Sequence, residues 1–167
     1  MADVEERLAA LEAQVAALAE QVAVPPAAPA TGDGVFWALE GLKQRLPAES
    51  DGAVLYTGAV RLEGQHYDWQ YALFVDDVLA ADWTELAATL SALGHPVRLR
   101  LLREVLGGRH TTADLAGIDG LGTTGQLHHH LRQLTAAGWL RSAGRGRHTV
   151  PAERVVPLLA ILTAARR

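Results

Sequence analysis

The chain has 167 residues, of which 49% are hydrophobic and only 20% are charged, so it can form one or two domains with a buried core and is not wholly disordered. It contains no cysteine, which excludes disulfides, thiolate metal ligands and a cysteine nucleophile. No basic stretch followed by an apolar run opens the sequence, and no apolar segment approaches the roughly 20 residues that span a bilayer. We therefore expect a cytoplasmic protein without a membrane partner.

The net charge of −4 conceals an asymmetry along the chain. Residues 1–94 contain four basic and 15 acidic residues, a net charge of −11, whereas residues 95–167 contain 11 basic and four acidic residues, a net charge of +7. A basic half beside an acidic half is typical of proteins in which only one domain contacts a phosphate backbone. A solvated charged surface explains the charges alone equally well.

A heptad pattern opens the chain. Valine and leucine recur there with alternating spacings of four and three residues, at Val4, Leu8, Leu11, Val15, Leu18 and Val22. β-Branched residues at position a with leucine at position d favour a parallel two-stranded coiled coil. We predict a coiled-coil dimerisation helix over residues 1–24, with an amphipathic helix packed on its own protein as the alternative. Prolines and glycines then predict a linker over residues 25–34.

Residues 35–81 are predicted to form a helix followed by a β-hairpin. Apolar residues at helical spacing run from Phe36 to Leu46. The period changes to two over residues 54–62 and 67–75, and residues 63–66 supply the turn. We expect the aromatic face of the hairpin to pack on the preceding helix. Because a lone hairpin is marginal in water, the unit should also pack against another domain or a dimer mate.

Aromatic residues alternate along the second strand of this hairpin, at Tyr67, Trp69 and Tyr71. A simple core is the favoured interpretation, and a contact with a small-molecule or protein effector is the alternative. The sequence identifies no effector.

The chain returns to helical periods at Asp82. A capping box over residues 82–85 starts a first helix that ends at Gly94. Pro96 suits the first position of a second helix, which stops at Gly107 and Gly108.

Two further helices carry the predicted function. Thr111 or Thr112 caps a short helix, a glycine-rich turn follows, and a capping box at residues 123–126 starts a helix that reaches about Ala137. Two short helices joined by a tight turn predict a helix-turn-helix.

The second of these helices has one apolar stripe, formed by Leu127, Leu131 and Leu134. The polar residues around this stripe suit a major groove, because they bond base edges or phosphates without adding negative charge. We predict DNA contacts from Thr123, Thr124, Gln126, His128, His129 and Arg132.

A second hairpin follows Gly138. Trp139 and Leu140 are predicted to begin its first strand, and residues 142–148 its glycine-rich tip. Arg145 and Arg147 on this tip are predicted to reach phosphates or the minor groove as a DNA-binding wing. A hairpin that is merely exposed is the alternative.

Two stretches resemble the ArsR-type winged helix regulators. Residues 93–102 (LGHPVRLRLL) look like the opening signature of that family, and residues 127–140 (LHHHLRQLTAAGWL) resemble its recognition helix and first wing strand. The resemblance covers about residues 84–165. It implies a homodimer that binds palindromic operators and pairs through its first and last helices. It also places Thr124, Gln126, His128 and His129 toward DNA, and Val155, Val156, Leu159 and Leu162 in the dimer contact.

Departures from the family argue against metal sensing. Many such regulators bind metals through cysteines or through acidic and histidine residues of the final helix, but this chain has no cysteine and no histidine after His148. Consecutive histidines at 128–130 point about 100° apart on a helix and cannot all bind one ion. We expect neither a metal nor another cofactor.

The sequence therefore predicts a mainly α protein with small β elements, in the α+β class, with a winged helix-turn-helix domain over residues 82–167. Its predicted function is that of a bacterial transcriptional regulator that binds double-stranded DNA as a homodimer. A protein-protein interaction adaptor that does not bind DNA is the alternative. We expect no enzyme and assign no catalytic residue, because the three serines lie outside nucleophile motifs and the sequence has no phosphate loop or metal-ligand spacing.

Overall fold

The computed structural model describes residues 7, 14 and 36–166. The chain divides into two compact units, Met1–Arg45 and Leu46–Arg167. In the first unit, α1 spans Trp37–Lys43, and Arg7 and Gln14 are helical and exposed. The rest of the predicted coiled coil and the whole linker lie outside the described residues.

The second unit combines helices with two small antiparallel sheets, as expected for the α+β class. In chain order it contains β1 (Ala53–Leu62), β2 (Gln65–Phe74), α2 (Val75–Ala80), a 3-10 helix (Trp83–Leu86), α3 (Ala87–Leu93), α4 (Pro96–Leu106), α5 (Thr112–Ala116), α6 (Thr124–Ala136), β3 (Arg141–Ser142), β4 (His148–Thr149) and α7 (Ala152–Ala164). Within residues 36–166, no helix has the length and apolar character needed to cross a membrane.

Local signals set the corner between α3 and α4. The His95 side chain accepts a hydrogen bond from Val97 N (3.2 Å) at the start of α4, where Pro96 occupies the first turn. Arg98 donates to the carbonyl oxygens of Ala92 (2.6 Å) and Ser91 (2.7 Å) and so satisfies acceptors at the end of α3. The predicted ends of these helices at Gly94 and Gly107 are confirmed.

The start of the preceding segment differs from the prediction. Asp82 accepts from Thr84 N (2.9 Å), but it caps a short 3-10 helix from which α3 then continues. Hydrogen bonds from Thr84 also lower the pKa of Asp82. The expected first helix is therefore divided at Leu86, where the 3-10 turn ends.

A cluster rich in leucine, with members from α3, α4, α5, α6 and α7, forms the core. The residues of this cluster that are least exposed include Leu101, Leu115, Leu127, Leu134, Trp139 and Leu158. Each such side chain contributes roughly 1.5–3 kcal/mol through removal from water. The indole Nε1 of Trp139 donates to Thr89 O (2.8 Å) and thereby joins α3 to the segment after α6.

The predicted first hairpin is confirmed, with a tighter turn than we expected. β1 and β2 pair antiparallel from Ala53 opposite Phe74 to Leu62 opposite Gln65. The turn consists of two residues, Glu63 and Gly64, with φ of 50° and 77°. Positive φ at both positions matches the turn type whose twist fits two-residue hairpins, so the four-residue connection predicted over residues 63–66 is wrong.

The hairpin lies against the last helix, α7. A Cβ on Gly58 would stand only 2.7 Å from Val156 Cγ1, so β1 and α7 approach at this glycine. Trp69 pairs with Gly58 and therefore projects from the same face. We expected this face to pack on the helix that precedes the hairpin; the partner found is a helix about 100 residues later in the chain, a long-range contact that local periodicity does not encode.

Aromatic residues of β2 are only partly covered by this packing. Trp69 is 38% exposed and Tyr71 is 47% exposed, whereas Tyr67 is half-buried. The interpretation of all three as simple core is therefore wrong for Trp69 and Tyr71.

Replacing Gly58 with alanine tests the contact between hairpin and helix. The new methyl group collides with Val156, whose β-branched side chain has one strongly preferred rotamer on a helix, so we expect a loss of about 1–3 kcal/mol in the free energy of unfolding. Urea denaturation measures it. Ala59→Ser, at an exposed position of the same strand, should change stability by less than about 0.5 kcal/mol.

The double variant makes this test specific for the contact. If Gly58→Ala costs as much in a Val156→Ala background as in the unmodified chain, the steric explanation is wrong.

Candidate nucleic-acid interface

Helix α6 has two distinct faces. Leu127, Leu131 and Leu134 are 1%, 2% and 0% exposed, which confirms the predicted stripe. The residues predicted to contact DNA from this segment are all exposed, namely Thr123, Thr124, Gln126, His128, His129 and Arg132. The helix thus presents hydroxyl, amide, imidazole and guanidinium groups on its open side.

A capping box fixes the start of α6, as predicted. Thr123 N donates to Gln126 Oε1 (2.8 Å), and Thr123 Oγ1 accepts from Gln126 N (3.4 Å). Reading adenine with glutamine requires the amide to donate and accept together. The carbonyl oxygen of Gln126 is already engaged by Thr123 N at the start of the helix, whereas the side chains of His128, His129 and Arg132 are exposed.

The end of α6 explains why the predicted strand start is wrong. Gly138 has φ of 74°, and the amides of Gly138 and Trp139 donate to Thr135 O (3.1 Å) and Leu134 O (2.9 Å). These two bonds form a Schellman motif, which closes the helix. Trp139 and Leu140 enter the core at 1% and 2% exposure, and the strand begins only at Arg141.

The second hairpin is a tight, glycine-rich loop. Gly144, Arg145 and Gly146 have φ of 79°, 49° and 70°, and Arg147 N donates back to Gly144 O (2.9 Å). Arg145 and Arg147 are exposed. The loop therefore carries two cations outward, as predicted.

Backbone contacts hold this hairpin beside the start of α5. Thr112 N and Thr112 Oγ1 both donate to Gly146 O, at 2.9 and 3.1 Å, and His148 N donates to His110 O (2.7 Å). Thr111 provides the cap of α5 in a capping box with Asp114, which leaves Thr112 for the hairpin. The sequence named either threonine as the cap and did not reveal the contact with the hairpin.

Histidines link α6 to its neighbours. His148 on β4 is half-buried, and Thr112 Oγ1 lies 3.3 Å from its Nε2. Burial lowers the pKa of His148, and the charge of nearby His128 lowers it further. The ring of His130 contacts that of His95 at a tilt of 43°, with ring centroids 4.6 Å apart. Burial lowers the pKa of His130 most, and the charges of His95, His129 and Arg98 act in the same direction.

The three consecutive histidines do not converge. His128 and His129 are exposed, whereas His130 turns inward onto His95. In the described part of the chain, no group of three histidine or acidic residues is arranged to hold a metal ion.

Comparison with known proteins gives no assignment. No protein-family model matches the chain, and no curated protein matches it.

The capping box predicts a specific loss of stability. Thr123→Ala removes the acceptor for Gln126 N, so we expect unfolding to become easier by about 1 kcal/mol. Thr124→Ala, one residue later, should have a much smaller effect because the structure gives its side chain no capping role. Thermal denaturation compares the two, and equal effects would contradict the capping assignment.

The histidines predict that stability falls on mild acidification. The folded state disfavours the charged forms of His130 and His148, so the unfolded chain binds more protons once the pH falls below the ordinary value of 6.5. Their contribution is complete above that value and is lost as the pH falls through the lowered pKa values. We expect Tm to decrease between about pH 7.5 and about pH 5.5.

A double His130→Gln and His148→Gln variant should show a flatter dependence over the same range, whereas His66→Gln, on an exposed strand position, should retain the original slope. A slope unchanged by the double substitution would contradict this origin.

Proposed function

We propose that residues 82–167 form a winged helix-turn-helix domain of the ArsR type, and that the protein is a bacterial transcriptional regulator that binds double-stranded DNA. The observation that carries the proposal is the pairing of an exposed polar face on α6 with an arginine-bearing hairpin fixed to α5. On this proposal α5 and α6 are the two helices of the motif, and the second hairpin is the wing.

The exposed groups divide between two tasks. His128, His129 and Arg132 lie where α6 can enter the major groove, and their donors suit base edges. Arg145 and Arg147 lie on the wing and neutralise phosphates, which supplies affinity with little sequence preference. The hydrogen bonds from Thr112 N and Thr112 Oγ1 to Gly146 O support this division, because they hold the wing beside the helices.

Exposed apolar residues support a homodimer through the first and last helices of this domain. On the first, Trp83, Leu86 and Leu90 are 59%, 52% and 51% exposed. On the last, Ile161 and Leu162 are 37% and 38% exposed. Monomers rarely leave large contiguous apolar patches in water.

Two residues assigned to the dimer contact by resemblance do not serve it. Val155 and Val156 are 1% and 3% exposed and are covered within the chain, Val156 by the hairpin at Gly58. The proposed contact on α7 therefore lies toward its C-terminal end, at Leu159, Ile161 and Leu162.

Two sets of variants test the DNA contacts with duplexes selected from genomic DNA. Replacing both Arg145 and Arg147 with alanine should weaken binding to every duplex, and the slope of log affinity against log salt should decrease by about 1.8, or about 0.9 per lost phosphate contact. His129→Ala should instead alter the preference among duplexes. Fluorescence anisotropy over a salt series measures both effects.

Arg61→Ala provides the matched control, because it removes one positive charge from an exposed position of the first hairpin. It is compared with Arg145→Ala and Arg147→Ala made singly, and a loss of affinity from Arg61→Ala equal to that from either single wing variant would contradict the proposal.

A protein-protein adaptor is the second candidate. The observation that favours it is the exposure of Trp69 and Tyr71 on the first hairpin, since aromatic residues are enriched at protein interfaces. Partners that survive nuclease treatment, together with no DNA retention in dilute buffer, would favour the adaptor.

A further inference from the structure

A cavity of about 320 Å³ lies where the tip of the first hairpin meets the C-terminal half of the chain. Its wall includes Tyr67 from β2, Val105 from the end of α4, Arg141 and Arg147 from the second hairpin, and Val155 from α7. All these residues belong to the compact unit Leu46–Arg167.

One side of the cavity is apolar. The half-buried side chains of Leu62, Leu106 and Val150 line it, and Val105 and Val155, each 1% exposed, close it from beneath. Such a wall favours an occupant with a hydrocarbon body, because water in contact with it gains few hydrogen bonds.

The other side is positively charged. Within the part of the chain that the structure describes, neither Arg141 nor Arg147 forms an ion pair. The cavity wall has one carboxylate, that of Glu63, and its Oε2 lies 2.8 Å from His110 Nε2. Arg141 is therefore open to a negative group from outside the chain. Arg147 also lies near Asp114, whose pKa is lowered by hydrogen bonds from Thr111 and, to a smaller extent, by the charges of Arg147 and Arg109.

We propose that this cavity binds a small organic carboxylate with a compact apolar body. A carboxylate matches the planar fork of a guanidinium, which can donate two parallel hydrogen bonds to it. Gln65, at the tip of the first hairpin, also supplies side-chain amide donors. Its Oε1 accepts a hydrogen bond from the hydroxyl of Tyr67 (2.7 Å). The volume is at the lower end of ligand sites, which suits a small molecule and excludes a dinucleotide.

A ligand bound in the cavity should also change the affinity for DNA. This inference rests on the function proposed above. Arg147 lines the cavity and also belongs to the proposed wing. A bound carboxylate that pairs with Arg147 withdraws a cation from the phosphates and places a negative charge beside the DNA. The carboxylate should therefore weaken DNA binding, and by linkage DNA should weaken carboxylate binding by the same factor.

Calorimetric titration of the full chain without DNA tests the site. The probes are benzoate and hexanoate, with benzamide as a neutral match for benzoate and inorganic phosphate as a bare anion. At least one carboxylate should bind with a stoichiometry of one per chain and at least about tenfold more tightly than benzamide or phosphate, as expected for a charged hydrogen bond joined to an apolar contact. Equal affinity for benzamide, tighter binding of phosphate, or no binding of either carboxylate at millimolar concentration would overturn the site.

Three variants locate the binding within the cavity. Arg141→Gln should weaken carboxylate binding by about tenfold or more. Arg61→Gln, at an exposed position outside the cavity, should leave the affinity unchanged. Ala152→Leu adds bulk at an exposed helix position on the cavity wall, so it should abolish binding while Tm stays the same. Full binding by Ala152→Leu, or equal losses from the two arginine variants, would place the ligand elsewhere.

A final comparison, of carboxylate binding with DNA binding, distinguishes the failure of the cavity proposal from the failure of the regulator proposal. Carboxylate binding by a protein that retains no DNA would support the cavity and refute the regulator. DNA binding that saturating benzoate or hexanoate leaves unchanged, in a protein that binds the same carboxylate, would overturn the coupling through Arg147.

Discussion

The arrangement of the C-terminal half depends on how one stripe of leucines fixes the rotation of α6. Leu127, Leu131 and Leu134 are held in the core from one side, so the polar side chains between them are directed to the opposite side. Two local devices set the length of the helix, the Thr123 capping box at its start and the Schellman motif at Gly138. Rotation and ends together determine which groups of α6 are exposed, and these are the groups that we propose contact DNA.

The packing of the first hairpin covers one face of the last helix, α7. Because Gly58 lets β1 approach Val156, one face of α7 is used within the chain, and the exposed apolar residues Ile161 and Leu162 lie farther along it. The same packing brings the hairpin tip to the segment between α4 and α5, where Glu63 contacts His110, and His110 O accepts a hydrogen bond from His148 N of the second hairpin. The proposed effector cavity therefore depends on this packing, since the hairpin supplies one wall and the proposed wing supplies the cations.

Local signals in the sequence predicted most of the C-terminal elements. The cap at Thr123, the helix start at Pro96 and the helix end at Gly107 follow from residues close in the chain, and these predictions are confirmed. Contacts between distant segments could not be predicted in the same way. Glu63 has a positive φ, which is unusual for glutamate. Its hydrogen-bond partner, His110, lies 47 residues away in the chain. The docking of Gly58 on Val156, the cavity and the contribution of Arg141 all depend on such distant contacts.

The central claim is that the open face of α6 and the neighbouring hairpin tip contact DNA. Backbone amide chemical shifts of the labelled protein, recorded during titration with a duplex selected from genomic DNA in dilute buffer, test it most directly. The account predicts the largest shifts over residues 123–132 and 144–147, with smaller effects on the first hairpin. Saturating duplex that leaves these two segments unshifted, or that shifts mainly β1 and β2, would contradict the account.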